Sequence, residues 1–203
     1  MPIAAKKSQC MVGLTILARV VITACFLLGL PSCAFNATPH GSQPRIEVAF
    51  GPKAGAESLV LKSVGVAKQT IRLSAFALSS PKIIEALVDA KQRGVDVQAV
   101  VDFDHNVGKD PKCIGRNALA ALAKAGVAIR TNDHYRKMHD KFVIIDGRYV
   151  QTGSYNYASS ANQNSENVLV VWGDPALADA YLRHWQSRFD EGSPLKLAGD
   201  CQM

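Results

Sequence analysis

The sequence has no excess of glycine or proline and contains no internal repeat, and these absences exclude several classes of protein. Fifteen Gly and nine Pro among 203 residues are too few for collagen-like or low-complexity material. A hydrophobic share of 48% beside 20% charged residues excludes a broadly disordered chain, because such a chain lacks the apolar residues for a core. The length allows one domain with a tail and excludes a large multidomain protein.

Acidic residues are absent from the first 34 positions, which carry only the cations Lys6, Lys7 and Arg19. An apolar or small-residue run of 11 residues follows at 20–30. This run is short for a bilayer-spanning helix of about 20 residues, and its length is typical of the apolar core of a signal peptide. We therefore predict export, which makes the protein periplasmic or secreted.

The end of the apolar run favours cleavage. Pro31 breaks the helix, and Ser32 and Ala34 are small residues that suit cleavage after position 34. An uncleaved membrane anchor starting at Met11 and a lipoprotein box ending at Cys33 stay open as alternatives, and only these would attach the protein to a membrane. The predicted parts are a signal peptide at 1–34, a linker at 35–44 and a domain at 45–203.

Cysteine is scarce beyond the leader, where only Cys113 and Cys201 occur. Because export favours disulfides, we predict a Cys113–Cys201 bridge that pins the C-terminal tail. The sequence alone leaves this bridge open, since it does not supply the Cα separation that a disulfide requires.

Positive charge is also scarcer than the total suggests. The chain carries 23 Lys plus Arg against 17 Asp plus Glu, a net charge of +6. Without the three leader cations the excess is 20 − 17 = +3. This modest value agrees with a polyanionic partner but does not identify one.

Apolar periodicity predicts strands that alternate with helices and then a hairpin, which indicates an α/β sandwich around a mixed, mostly parallel sheet. The predicted strands are 46–50, 71–76, 95–103, 127–130, 142–145, 149–152 and 167–172, and the predicted helices are 57–68, 81–93, 117–125 and 175–189. We predict a polar loop over 104–115.

The chemistry is concentrated between positions 138 and 156. In an extended chain, residues two apart face the same side, so His139 points with Lys141 and Ser154 points with Asn156. A hairpin around Asp146-Gly147 would bring the four side chains together. An imidazole, an ammonium, a hydroxyl and an amide are suited to a tetrahedral phosphate.

Two further residues of this segment have supporting roles. Gly153 allows a tight turn or a close approach of the backbone. Asp146 is an odd number of residues from Lys141, so it should not face the same pocket, and we assign it a supporting role in the turn. Six specified residues at fixed spacing give a chance match of roughly one in 10⁷ to 10⁸ for each starting position.

The pattern His139-x-Lys141-x4-Asp146-x6-Gly153-Ser154-x-Asn156 resembles the signature of the phospholipase D superfamily. With a single copy behind a leader, the chain looks like the small secreted bacterial endonucleases of that superfamily, which act without a metal. The resemblance implies an α-β-α sandwich, no cofactor, and Asp146 as a member of the catalytic motif.

The resemblance also implies the role of each site residue. His139 would be the nucleophile that forms a phosphohistidine or the acid that protonates the leaving oxygen. Lys141 and Asn156 would hold phosphate oxygens, with Ser154 assisting. Glu166 looks like the acidic partner that orients the imidazole and favours its protonated form; the alternative is a solvent-facing loop carboxylate.

The motif supplies one histidine per chain, whereas cleavage through a covalent intermediate needs a nucleophile and an acid. The resemblance therefore implies a homodimer in which a second copy contributes the second His139. His184, on the predicted C-terminal helix, is left outside the site.

Nucleic acid, DNA or RNA, is the expected substrate. The expected phosphate-tracking groove consists of five basic residues in the flanking loops: Lys109, Lys112, Arg116, Arg136 and Lys137. The alternatives are an ordinary solvated surface for these residues, a phosphatidyl ester as substrate, a non-catalytic nucleic-acid-binding module, and a metal phosphodiesterase built on Asp102-Phe103-Asp104-His105.

Overall fold

The computed structural model describes residues 43–197, so the leader, most of the linker and Cys201 lie outside the described residues. The elements are β1 (Arg45–Phe50), α1 (Ala56–Gly65), β2 (Thr70–Ala75), α2 (Pro81–Gln92), β3 (Asp96–Asp102), a π-helical turn (Asp104–Gly108), α3 (Ile114–Lys124), β4 (Ala128–Asn132), β5 (Lys141–Ile145), β6 (Tyr149–Gly153), a 3-10 turn (Ser159–Gln163), β7 (Asn167–Trp172), α4 (Pro175–Glu191) and β8 (Ser193–Pro194). Within this range no helix is both long and apolar enough to cross a membrane.

The eight strands form one mixed sheet in the order β1-β7-β6-β5-β2-β3-β4-β8. The mixed sheet is confirmed, but the expectation that it is mostly parallel is wrong. Only β2–β3 and β3–β4 are parallel pairs, and the other five pairs are antiparallel. The reason is the connection: helical crossovers α2 and α3 join only β2, β3 and β4, whereas a short turn joins β5 to β6 and can only make an antiparallel pair.

Helices cover both faces of the sheet, which confirms the α-β-α sandwich. The first core contains apolar residues of α1, α2 and α3, such as Ile83, Leu87 and Leu119, all at most 1% exposed. The second core lies under α4, where Trp185 is 1% exposed. The Trp185 indole Nε1 donates to the Leu73 carbonyl at 2.9 Å. This bond ties α4 to the centre of the sheet.

The start of α4 follows from its sequence. Asp174 precedes the helix, and its side chain accepts the Leu177 N–H at 2.9 Å. Pro175 occupies the first helical turn, where its missing N–H costs nothing. The helix therefore begins where the Asp-Pro pair predicts.

Most residues of the predicted motif lie where the strands end on one side of the sheet, and we call this side the site edge. Lys141, the first residue of β5, pairs with Ala75, the last residue of β2. The last residue of β6, Gly153, pairs with Val168 near the start of β7. The carboxyl ends of β2, β3 and β4 therefore lie at the same edge as the catalytic motif, which is the usual position of a binding crevice in open α/β sheets.

Candidate active site

The predicted hairpin is confirmed, because β5 and β6 pair antiparallel with Phe142 opposite Thr152. Gly153 ends β6 where the backbone of β7 comes close. A Cβ atom at this position would lie 2.2 Å from the Asn167 carbonyl oxygen, so only glycine fits. The hairpin and this close approach carry Ser154 and Asn156 to the edge at which His139 and Lys141 lie.

His139 is exposed and lies one residue before Asp140, at the mouth of a cavity of about 420 Å³. Lys141, Phe142 and Thr152 also line this cavity. Partial burial lowers the pKa of His139, and the nearby Lys141 and Lys137 cations act in the same direction. The neutral imidazole, which is the nucleophilic form, is therefore favoured, contrary to the expectation that a carboxylate would favour the protonated form.

Lys141 is buried, with 8% of its surface exposed. Its Nζ donates to the His139 carbonyl at 2.8 Å, which holds the ammonium beneath the histidine. Burial lowers the pKa of Lys141, and the carboxylates of Asp140 and Glu166 oppose this shift. In residues 43–197 no carboxylate forms an ion pair with this ammonium, so a bound phosphate can act as its counter-ion.

Asn156 and Ser154 differ in how they are satisfied. The side-chain Oδ1 of Asn156 is buried and has no hydrogen-bond partner among the described residues, so it can accept from a donor on a ligand or a water molecule, whereas a phosphate oxygen would have to accept from the Nδ2 of the same amide. The Ser154 hydroxyl donates to a Glu166 carboxylate oxygen and accepts the Asn167 N–H at 3.0 Å. The Asn156 Oδ1 therefore lacks a hydrogen-bond donor among the described residues, whereas the Ser154 hydroxyl is held in a fixed orientation by its two hydrogen bonds.

Glu166 lies beside the site but contacts Ser154 and Asn164, the latter through a 3.1 Å bond from its Nδ2. Over the described range no hydrogen bond or ion pair joins Glu166 to His139. The predicted orientation of the imidazole by Glu166 therefore stays a prediction.

Asp146 lies at the opposite end of β5 from Lys141, so it does not contact the cavity. Its carboxylate accepts the backbone N–H groups of Lys68, Gln69 and Thr70 at 2.8–3.2 Å. Burial acts to raise the pKa of Asp146, but these backbone bonds outweigh it and lower the pKa. The contacts of Asp146 agree with the supporting role in the turn that its spacing from Lys141 predicts, because its carboxylate fixes the hairpin turn to the start of β2. Its membership of the catalytic motif stays an implication of the resemblance.

Three of the five predicted groove residues come together. Lys109, Arg136 and Lys137 line a second cavity of about 350 Å³. The other two residues lie outside this cavity: Lys112 is exposed, and an Arg116 guanidinium nitrogen donates to the Asp110 carbonyl at 3.1 Å. The cavity is therefore lined by fewer of the predicted basic residues than the sequence analysis expects.

Asp102 is 2% exposed, and its oxygens accept the backbone N–H groups of His105 and Met138 at 2.8 Å each. The carboxylate thus organises two loops. Among the described residues no group of three or more His, Cys, Asp or Glu side chains is arranged to hold a metal ion.

Two residues of the site escaped the sequence analysis. Phe76 follows β2, and its ring lines the second cavity with its centroid 4.6 Å from that of the His139 ring. His184 of α4 lines the His139 cavity, and its Nε2 lies 2.9 Å from Asp140 Oδ2. Phe76 is the last residue of the predicted strand 71–76, so its place at a strand end could have pointed to the site. No local sequence pattern distinguishes His184 from its neighbours on the predicted helix.

Cys113 is disulfide-bonded. Its predicted partner Cys201 lies outside the described residues, so the Cys113–Cys201 pairing stays a prediction.

Comparisons with known proteins agree with this geometry. A family model described as "Cardiolipin synthase, PLD-like domain" matches residues 60–189. A protein named phospholipase D from Rickettsia bellii is 32% identical over 148 residues, which cover 72% of this chain and 70% of that protein. Human mitochondrial cardiolipin hydrolase is 30% identical over 141 residues, which cover 70% of this chain and 54% of that protein.

Solved structures give the same result. The crystal structure of Nuc from Salmonella typhimurium, described as a phospholipase D family member, matches with a TM-score of 0.72 and 38% identity, covering 76% of this chain and 99% of that one. NucT from Helicobacter pylori, at 18% identity and a TM-score of 0.65, supports the fold alone. The chain therefore belongs to the phospholipase D superfamily and is a phosphodiesterase of that superfamily.

Proposed function

We propose that this protein is an exported endonuclease that hydrolyses nucleic-acid phosphodiester bonds without a metal, through a phosphohistidine at His139. The observation that carries the proposal is the grouping at one sheet edge of an imidazole whose pKa is lowered, a buried ammonium that has no ion-pair partner among residues 43–197, and a side-chain amide whose Nδ2 can donate to a phosphate oxygen. These are the groups of His139, Lys141 and Asn156. A second, cation-lined cavity adjoins them.

In the first step an imidazole nitrogen of His139 attacks the phosphorus, and the bond from phosphorus to the leaving oxygen breaks. That oxygen takes a proton from a second imidazole. In the second step water attacks the phosphohistidine, gives a proton to the second imidazole, and releases a phosphate monoester and the free His139. Lys141 and Asn156 stabilise the charge that develops on the phosphoryl oxygens.

The second imidazole is proposed to be His139 of a second copy in a homodimer. An apolar stripe on β1 supports this assembly: Ile46, Val48 and Phe50 are 61%, 58% and 54% exposed. Phe50 pairs with Asn167 at the site edge, so the stripe reaches the active site. A second copy that covered it would remove the apolar surface from water.

The substrate proposal rests on charge. Arg136 and Lys137 line the second cavity, in which the third cation, Lys109, is paired with Asp104. The two remaining cations suit a polyanion with several phosphates in a row, such as DNA or RNA. Release into the periplasm or the medium is proposed from the leader sequence alone.

A phosphatidyl ester is the second candidate substrate. It is favoured by the names of the relatives, phospholipase D and mitochondrial cardiolipin hydrolase. The same two-step chemistry would cleave it.

The test is an assay in excess EDTA with single- and double-stranded DNA and RNA oligonucleotides and, in parallel, cardiolipin and phosphatidylcholine vesicles. We expect oligonucleotide cleavage by the wild type and none by His139→Ala, while Lys124→Ala, on the opposite sheet edge, retains activity. Vesicle hydrolysis without oligonucleotide cleavage would establish the lipid reaction instead. Binding of DNA by the wild type without any cleavage would make the protein a binding module.

A further inference from the structure

Phe76 lines the second cavity at the site edge. Its ring centroid lies 4.6 Å from that of His139 and 4.3 Å from that of His105, with only 33° between the Phe76 and His105 planes. Phe76 is half-buried and His105 is exposed. The structure thus presents two neighbouring rings, tilted by 33° to each other, next to the proposed nucleophile, and the proposed mechanism at His139 uses neither of them.

A buried amide fixes this pair of rings. Asn106, 1% exposed, donates from its Nδ2 to the carbonyls of Phe76 and Asp102 at 2.8 and 2.7 Å, and its Oδ1 accepts the Leu78 N–H at 2.9 Å. All three of these hydrogen bonds join the Asn106 side chain to backbone groups, two just beyond the end of β2 and one at the end of β3. The π-helical turn that carries His105 is therefore locked to the end of β2, so the rings are held in place before any ligand binds.

Cations surround the rings. The Lys137 and Lys141 ammonium groups lie 5.8 and 5.2 Å from the Phe76 centroid. Lys109 and Arg136 line the same cavity as Phe76 and His105. Of the two carboxylates there, Asp104 is paired with Lys109, and Asp102 is occupied by backbone N–H groups. Arg136 and Lys137 are thus the cations that remain for a ligand.

We propose that this second cavity is a subsite for the nucleotide next to the scissile phosphate, in which the base stacks on His105 backed by Phe76 and a flanking phosphate binds Arg136 and Lys137. Stacking on aromatic rings accepts every base, because every base has a π-face. A base must leave a duplex stack to reach the rings, so the subsite selects single-stranded nucleic acid. The inference rests on the proposed nuclease function and specifies its substrate.

The test uses single-stranded oligonucleotides with one hydrolysable linkage among nuclease-resistant linkages. The residue 5′ or 3′ of that linkage carries either a base or an abasic tetrahydrofuran. For the wild type we expect kcat/KM to fall roughly 5- to 100-fold when the base on one side is absent. In His105→Ala and Phe76→Leu this ratio should approach one, whereas Phe76→Tyr, which keeps the ring, and the distant control Lys124→Ala should retain it.

The ratio cancels any general loss of activity that follows from disturbing the ring beside His139. A wild-type ratio near one on both sides, or an unchanged ratio in His105→Ala, would overturn the subsite while leaving the nuclease intact. Failure of the wild type to cleave any oligonucleotide would instead overturn the proposed function itself.

Discussion

The imidazole of His184 and the carboxylate of Asp140 join the last long helix to the catalytic motif, with 2.9 Å between Nε2 and Oδ2. Asp140 lies between His139 and Lys141, and the Ser74 hydroxyl approaches the same carboxylate oxygen at 3.5 Å. The pair therefore holds the segment that positions His139, the proposed nucleophile.

The first prediction concerns this pair. His184→Ala should lower kcat about three- to tenfold with little change in KM, because a half-exposed charged hydrogen bond contributes about 1 kcal/mol to holding the segment. Gln186→Ala is the matched control, since Gln186 bonds only to Asp190 on the same helix among the described residues. Steady-state kinetics on one oligonucleotide measures both constants, and an effect confined to KM would contradict the positioning role.

The second prediction concerns pH. Burial and the Lys141 and Lys137 cations hold the pKa of His139 below its ordinary value of 6.5, so the nucleophile stays neutral into mildly acidic solution. The acid limb of kcat/KM against pH should therefore lie below pH 6.5 for a small diester such as bis(p-nitrophenyl) phosphate. Lys137→Gln removes one cation and should move that limb to higher pH. A move to lower pH would show that His139 is not the titrating group.

The third prediction concerns stability. Asp146→Ala removes the acceptor for three backbone N–H groups and should lower the free energy of unfolding by about 1–3 kcal/mol. Asp146→Asn should cost less, because asparagine tolerates the left-handed conformation at φ 52° and keeps one acceptor oxygen. Urea unfolding at neutral pH measures both.

The same pair of proteins tests the role of ionisation. Because folding lowers the pKa of Asp146, its contribution is present above the ordinary value of 3.8 and is lost as pH falls through the folded-state pKa. The stability gap between the wild type and Asp146→Ala should therefore narrow in acid towards the value that a neutral acceptor oxygen supplies. A gap of unchanged size at low pH would show that the carboxylate charge contributes nothing.

Much of the site was readable from local patterns. Two short strands that flank Asp146-Gly147 predict a hairpin, and period-2 geometry then brings His139 and Lys141 to the edge where Ser154 and Asn156 lie. These relations depend only on short-range spacing, and the structure contains the predicted hairpin.

Other relations depend on long-range packing. The antiparallel pairing of β2 with β5 joins strands that are far apart in sequence. Local patterns therefore do not predict that antiparallel strand pairs outnumber parallel ones in this sheet. Phe76 resembles a core aromatic until the π-helical turn brings His105 against it. His184 reaches Asp140 across 44 residues, a distance at which no helical or strand period operates.

The fourth prediction concerns assembly. Val48→Glu places a charge in the middle of the apolar stripe on the edge strand and should shift the protein from dimer to monomer in sedimentation velocity. Activity should fall with the dimer, because a single chain supplies one His139. Lys53→Glu, outside the stripe, controls for charge alone. A wild type that is fully active as a monomer would contradict the shared site.

The central claim is that His139 attacks a nucleic-acid phosphate without help from a metal. The most direct measurement is quenching of a single-stranded oligonucleotide reaction in excess EDTA with denaturant at alkaline pH, where the phosphorus–nitrogen bond of a phosphohistidine survives, followed by mass spectrometry of the protein. The account predicts a nucleotide adduct on His139 during turnover, and neither adduct nor cleavage in His139→Ala. Cleavage that requires an added divalent cation, or that persists in His139→Ala, would contradict it.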